Sequence, residues 1–386
     1  MYTLIKNAHI VSPDMEIASG NILVADGKII AVSAETISAP AGAEVIDAQN
    51  MMTVPGFIDV HCHGRNNFDF CDGNAAGTQL IAENKLAEGV TTLLPTTLTV
   101  SEEQLAASLA AVAACDQTRS CRIPGVHLEG PYINPKCAGA QNPAFVRQPD
   151  TAEVDRLNAI YPVAKITYAV EMPGGAEFTS AMLSRGITPS CTHSGAKYSD
   201  FLAAHQSGLR NLSHFCNQMT PLHHRDIGLV GAGLLHRDVF AELICDKLHI
   251  DPAMIKLVFQ TKGAEHVILI TDAMRAAGED VETSFLGSPR DPLPVIVEDG
   301  VAKLCDRSAF AGSVATQDRL LRNMLSVGVS LSDGVAMLTH NPIREHLPKA
   351  KKGMLLPDYD ADLCLFDKGI DVKAVLVGGE YRHRAE

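Results

Sequence analysis

The sequence predicts an α/β fold: a (β/α)8 TIM-like barrel carrying a small β-sandwich domain built from both chain termini. Three observations lead there. Eight short apolar runs alternate with helical stretches through the middle of the chain, turn-punctuated β segments stand at both ends, and five of the eight runs end in a candidate metal ligand or proton carrier. The first two set the architecture. The third says where the chemistry belongs.

From residue 3 to about 54 the chain reads as short strands. In "NILVADGKIIAVS" an Asp-Gly pair joins two apolar runs, the strongest short-range hairpin signal. Near the other end "ADLCLFDKG" and "VKAVLVGGEYRH" repeat the style, with Gly378-Gly379 as a second turn. Residues 1–54 and 346–386 are therefore expected to form one discontinuous β domain, and residues 55–345 the barrel.

The barrel runs are "FIDVHCH" (57–63), "TTLLPTT" (91–97), "IPGVHLEG" (123–130), "KITYAVE" (165–171), "TPSCTHS" (188–194), "LRNLSHF" (209–215), "FAELICD" (240–246) and "VILITDA" (267–273). Between them lie helical stretches such as "SEEQLAASLAAVAAC", with Ser101 as N-cap and Gln104 at the capping-box position, and "YSDFLAAHQSG", which ends at a glycine. The stretch from about 275 to 312 is rich in Gly, Pro and Asp and reads as a loop or β flap over the barrel mouth.

Composition narrows the function. The 386 residues exceed the usual single-domain size, and 46% apolar residues suffice for a large core. A net charge of −13 argues against nucleic acid or an anionic membrane as main partner, since both repel an acidic surface. A small anionic substrate remains open if basic groups converge locally. Ten cysteines scattered without a C-x-x-C pair read as reduced thiols. The N-terminus lacks a basic region before a long apolar stretch, and no segment approaches the ~20 apolar residues of a membrane helix, so a cytoplasmic protein is expected.

In such barrels the chemistry sits at the C-terminal ends of the strands. His61 and His63 end the first run, Glu129 the third, His193 the fifth, His214 the sixth and Asp272 the eighth. Each alone has an ordinary reading: a water-facing alternation, a turn carboxylate, a satisfied core histidine or a helix cap. Five such accidents at equivalent positions would have to coincide, and a buried parallel strand should be nearly all apolar. His and carboxylate donors suit Zn2+ or another borderline divalent ion. Glu129, His193 and His214 supply three ligands and leave a position for a water whose pKa would fall toward ~7. Asp272 beside it could take the proton and later give it to a leaving group. The reaction class is metal-assisted hydrolysis of an amide or related bond.

The motifs "PGFIDVHCHG", "GVTTLLPTT", "HLEGPYINP", "NPAFVR", "THSGA", "SHFCNQM", "GLVGAGL", "LITDAM" and "FAGS" occur in that order over nearly the whole chain. Together they resemble the amidohydrolase superfamily, and within it the N-acetylglucosamine-6-phosphate deacetylase branch. "TPLHHRDIGLVGAGL" and "LITDAM" lean toward relatives acting on the galactosamine epimer. The resemblance implies that Glu129, His193 and His214 hold the main metal and that Asp272 is general base and acid. His61 and His63 would hold a second ion. The fourth run ends in "YAVEMPGG" without a lysine, so Glu129 is the expected bridge. Zinc is the expected metal, one or two per chain, with Fe, Mn or Co as alternatives. A phosphosugar substrate would meet Asn217, Gln218 and His249. Arg225 is expected to reach in from the neighbouring subunit of a homodimer, supplying the cation that phosphate requires.

Three positions depart from the family pattern. Gln141 stands where the family usually has a histidine that polarises the amide carbonyl, and a glutamine can donate a hydrogen bond but cannot carry a proton. Gln218 is larger than the usual Ala or Gly, and Lys247 replaces a Gly. All three lie on the substrate side. They leave open another N-acyl or cyclic amide substrate, and a metal-free scaffold relative is the reading of a different class.

Overall fold

The computed structural model describes residues 2–385. The terminal segments build one sheet from strands Tyr2–Ser12, Met15–Ala25, Lys28–Ser33, Glu44–Asp47, Met52–Pro55, Leu363–Phe366, Val372–Val377 and Glu380–Arg384. The expected hairpins form at Asp26-Gly27 (φ 50° and 78°) and Gly378-Gly379 (φ 61° and 78°), the left-handed pair that a two-residue hairpin turn requires. Leu363–Phe366 pairs antiparallel with Met52–Pro55, which joins the two ends of the chain. The expected sandwich is a single hydrogen-bonded sheet curled on itself. Residues 358–361 bond back to 27–29, through Ile29 N to Tyr359 O and Ala361 N to Gly27 O, both at 2.9 Å. Inside the curl Ile10, Ile22 and Ile29 meet Leu363, Leu365 and Leu376 in one buried cluster.

The eight middle runs form one parallel sheet: Phe57–Cys62, Val90–Thr97, Val126–Glu129, Val163–Tyr168, Thr188–Cys191, Asn211–Leu212, Phe240–Leu243 and Val267–Leu269, each beside the next. Past the eighth strand a parallel bridge of Cys62 with Ala273 brings the chain back to the first. There Asp272 N–H donates to His61 O and His63 N–H to Ala273 O, both at 2.8 Å. Helices cover the outside. Glu102–Ala113 starts at Ser101 with the capping box closed by Gln104. Tyr198–Gln206 is followed by Gly208 at φ 107°. The longest irregular stretch is a four-stranded antiparallel flap, Thr283–Leu286, Leu293–Glu298, Val301–Leu304 and Phe310–Ser313. Among the described residues no helix is long and apolar enough to cross a membrane.

The barrel holds two buried polar networks. His127 bonds Thr167 at 2.7 Å, which meets Ser213 at 3.1 Å and through it Ser190 at 2.8 Å. Lys165 Nζ donates to Glu242 at 2.6 Å, and the other Glu242 oxygen faces His346 Nε2 at 3.0 Å. Fully buried polar groups persist because they bond to one another.

Candidate active site

Strand alternation puts His61 and His63 on one side of the first strand, aimed at the barrel mouth. Glu129 is the last residue of the third strand, and the three that follow strand ends hold left-handed backbone: His193 (φ 46°), His214 (φ 29°) and Asp272 (φ 49°). Such conformations cost a non-glycine residue about 1–3 kcal/mol each and persist where surroundings enforce them. Two glycines make room. A Cβ on Gly130 (φ 78°) would stand 2.2 Å from Thr99 Oγ1, and one on Gly312 (φ 71°) 2.9 Å from the Asp272 carbonyl.

Glu129 is the centre. Its Oε1 lies 3.0 Å from His214 Nε2, 3.3 Å from His61 Nε2 and 3.6 Å from His193 Nε2, while its Oε2 lies 3.2 Å from His63 Nε2. Asp272 Oδ1 is 3.4 Å from His61 Nε2 and 3.2 Å from His63 Nε2. Two overlapping donor groups result: His61, His63 and Glu129, and Glu129, His193 and His214.

The outer ring nitrogens decide the tautomers. His63 Nδ1 donates to the Thr96 carbonyl at 3.2 Å and His193 Nδ1 to the Cys137 carbonyl at 2.9 Å. His214 Nδ1 meets Thr192 Oγ1 at 3.2 Å, and that hydroxyl itself donates to Asn217 O. In all three the proton belongs on Nδ1, so Nε2 presents a lone pair inward. His193 Nε2 and His214 Nε2 stand 3.2 Å apart. His61 is fully buried with neither ring nitrogen hydrogen-bonded, its Nδ1 3.9 Å from Glu242. Converging lone pairs and an orphaned buried imidazole cost free energy that a shared cation removes, so these residues fit a divalent metal.

Charge follows the same geometry. Burial pushes the Glu129 pKa up, but His61, His193 and His214 outweigh it and hold the carboxyl well below its usual range. At Asp272 burial is likewise outweighed, by His61 and His63, and the pKa is lowered. Burial depresses the His63 pKa, and the Asp272 and Glu129 carboxylates facing its Nε2 more than reverse that by favouring a charged ring. For His214 burial prevails and the neutral ring is favoured.

The cavity above measures about 100 Å3, and Gln141, Asn217, Gln218, His249, Leu286 and Phe310 line it together with most of the donor set. Gln141 is held at both ends: Oε1 accepts from Thr99 N–H at 2.7 Å, and Nε2 donates to Glu129 Oε2 at 2.6 Å. Asn217 Nδ2 donates to His214 O at 3.2 Å. His249 Nδ1 meets Asp246 at 2.7 Å, and its ring stands edge-on to Phe310. Arg225 does not line this cavity. It is exposed in the loop after the sixth strand, beside His224.

Sequence reasoning missed the support beneath the site: Glu242, Lys165 and His346. The signal for two of them was a charged residue within a strand-like run, Lys165 opening "KITYAVE" and Glu242 in the middle of "FAELICD". Lys165 lies on the fourth strand, but its ammonium is committed to Glu242.

The Amidohydrolase family model matches residues 52–382. An N-acetylglucosamine-6-phosphate deacetylase of Lysinibacillus sphaericus is 32% identical over 98% of this chain and 97% of its own length. An N-acetylgalactosamine-6-phosphate deacetylase of Escherichia coli O157:H7 is 31% identical over 92% and 93%. Among solved structures, a mutant N-acetyl-D-glucosamine-6-phosphate deacetylase of Mycobacterium smegmatis in complex with N-acetyl-D-glucosamine-6-phosphate superposes with a TM-score of 0.90 at 29% identity, covering 99% of both chains. The Thermotoga maritima enzyme of that name gives 0.88 at 32% identity over 99% and 100%. With its barrel, its convergent histidines and a match spanning most of its length, this chain belongs to the amidohydrolase family.

Proposed function

We propose that this chain hydrolyses the acetamido group of an N-acetyl amino-sugar 6-phosphate, the glucosamine compound or its galacto epimer, to acetate and the amino-sugar 6-phosphate. The observation that carries the reading is the pair of donor groups sharing Glu129, with Asp272 within 3.5 Å of two of their histidines. A divalent cation held there would act as a Lewis acid and acidify a water. Glu129, His193 and His214 would hold the main ion, and His61 and His63, together with the shared Glu129, a second one. Zinc suits the nitrogen and carboxylate donors, and Fe, Mn and Co share that preference.

The chain's own groups do the rest. Asp272, held ionised by its histidines, takes the proton of the attacking water and passes it to the amine as the C–N bond breaks. The Gln141 amide has two N–H bonds; one is spent on Glu129, and the other can donate to the acetyl oxygen. His249, steadied by Asp246, with Asn217 and Gln218, faces the sugar. No Lys or Arg is among the described residues lining the cavity, which already carries two carboxylates. A phosphate there needs a cation from outside, which supports a homodimer in which Arg225 reaches the neighbouring site.

The test is a panel of N-acetylated glucosamine, galactosamine and mannosamine 6-phosphates assayed on the metal-loaded protein. Turnover of at least one is expected, and the preferred epimer reads out directly. Turnover of none, with hydrolysis of an unphosphorylated N-acyl compound, would replace the sugar reading by the broader N-acyl one.

A further inference from the structure

We infer that this chain also accepts N-acyl groups longer than acetyl, their alkyl tails entering a second cavity behind the catalytic one; the inference rests on the deacetylase reading and extends it. The candidate sugar contacts Asn217, Gln218 and His249 follow the sixth and seventh barrel strands. Leu98 and Ala140 follow the second and third, four places away around an eight-stranded ring, and so face them across the metal ligands. An amide whose amine side faces His249 therefore turns its acyl side toward Leu98 and Ala140.

On that side the wall does not end the space. Leu98, Ala140, Gln141 and Leu286 line the catalytic cavity of about 100 Å3 and also a second cavity of about 390 Å3. Val100, Phe145, Leu293 and Leu304 give the second an apolar side, and Thr99, Gln104, Asn142, Ser288 and Asp291 line the rest. It is preformed: Gln104 Nε2 donates to Asp291 Oδ2 at 3.3 Å, tying the flap to the helix that starts at Glu102. Gln141, bonded to Thr99 and Glu129, lines both cavities and stands between them. The carbons of an alkyl chain can be covered on the side formed by Val100, Phe145, Leu293 and Leu304. The reaction stays hydrolytic: water adds to the acyl carbon, the C–N bond breaks, and the proton goes to the leaving amine.

The experiment compares kcat/KM for N-acetyl- and N-butanoyl-hexosamine 6-phosphates of the preferred epimer. Butanoyl adds two methylenes, each contributing roughly 0.8 kcal/mol or about fourfold in affinity when buried, so its kcat/KM should fall no lower than about a tenth of the acetyl value. Leu304→Trp and Leu293→Trp fill the second cavity from two strands of the flap, and each should cut the butanoyl-to-acetyl ratio by about tenfold or more. A wild-type butanoyl rate below about a hundredth of the acetyl rate overturns the inference while leaving the deacetylase reading intact. So does a ratio that neither filling variant moves. Turnover of neither compound overturns both.

Discussion

Single side chains carry the strongest predictions. Asp272 is buried at 8% exposure and touches two of the candidate ligands without belonging to either donor group, as a proton carrier should. Asp272→Asn is nearly isosteric and keeps the histidine contacts, so it should retain metal and lose about 10²–10⁴ of the rate, the share general acid–base catalysis supplies. Metal content by elemental analysis alongside kcat checks it, and a variant with substantial turnover would release Asp272 from the role. Gln141 acts one step further out. Its 2.6 Å bond to Glu129 fixes the carboxylate that both groups share. Removing such a partner typically weakens metal binding by about 10–100-fold, so Gln141→Ala should lose the ion to a competing chelator at correspondingly lower concentration. Unchanged affinity would leave Gln141 a substrate contact only. The departure at Lys247 carries a local cost: it takes φ 68°, the conformation for which glycine is the usual occupant.

Elements explain which parts were legible in the sequence. Each candidate metal ligand, and Asp272 with them, stood near the end of an apolar run, where period and length mark a strand, and every run contains a barrel strand. The short helix His340–His346 was not legible as part of the site's support, because its partners lie far away in sequence: His346 meets Glu242 across 104 residues. Nothing local in "FAELICD" says which cation pairs with its glutamate. In this helix burial and the nearby Glu242 raise the Glu345 pKa to about 8, from 4.5 in the unfolded chain. Between those values the native state keeps its proton while the unfolded state releases it, so stability falls as pH rises through that window. Glu345→Gln cannot titrate. Its advantage in unfolding free energy over the wild type, read by denaturant titration, should be small near pH 5 and grow to about 1–3 kcal/mol by pH 8. An advantage independent of pH would mean Glu345 shares the ordinary carboxyl behaviour. At the turn after the third strand, Gly130→Ala meets both a φ of 78° and a 2.2 Å approach to Thr99, and should cost at least about 1–3 kcal/mol, read as a lower melting temperature.

At the scale of the whole molecule the open question is charge. The chain carries a net −13, its cavity presents Glu129 and Asp272, and no described lining residue is a Lys or Arg. A phosphate would meet a repulsive field unless a cation arrives from elsewhere. Arg225 stands exposed after the sixth strand, outside its own cavity but on a barrel-mouth loop, and an isologous dimer would carry it to the opposite site. Complementation separates the two geometries. Arg225→Ala alone should raise KM for the phosphosugar more than it lowers kcat, since the lost contact lies away from the reacting bond. Asp272→Asn alone should be nearly inactive. If Arg225 serves the partner, a hybrid dimer of one chain of each kind holds one site with both Asp272 and Arg225 intact. Equal amounts, mixed and allowed to exchange subunits, then recover about a quarter of the wild-type sites, because half the dimers are hybrids with one good site of two. If Arg225 serves its own chain, every site in the hybrid lacks one of the pair, and mixing adds nothing beyond the sum of the two variants.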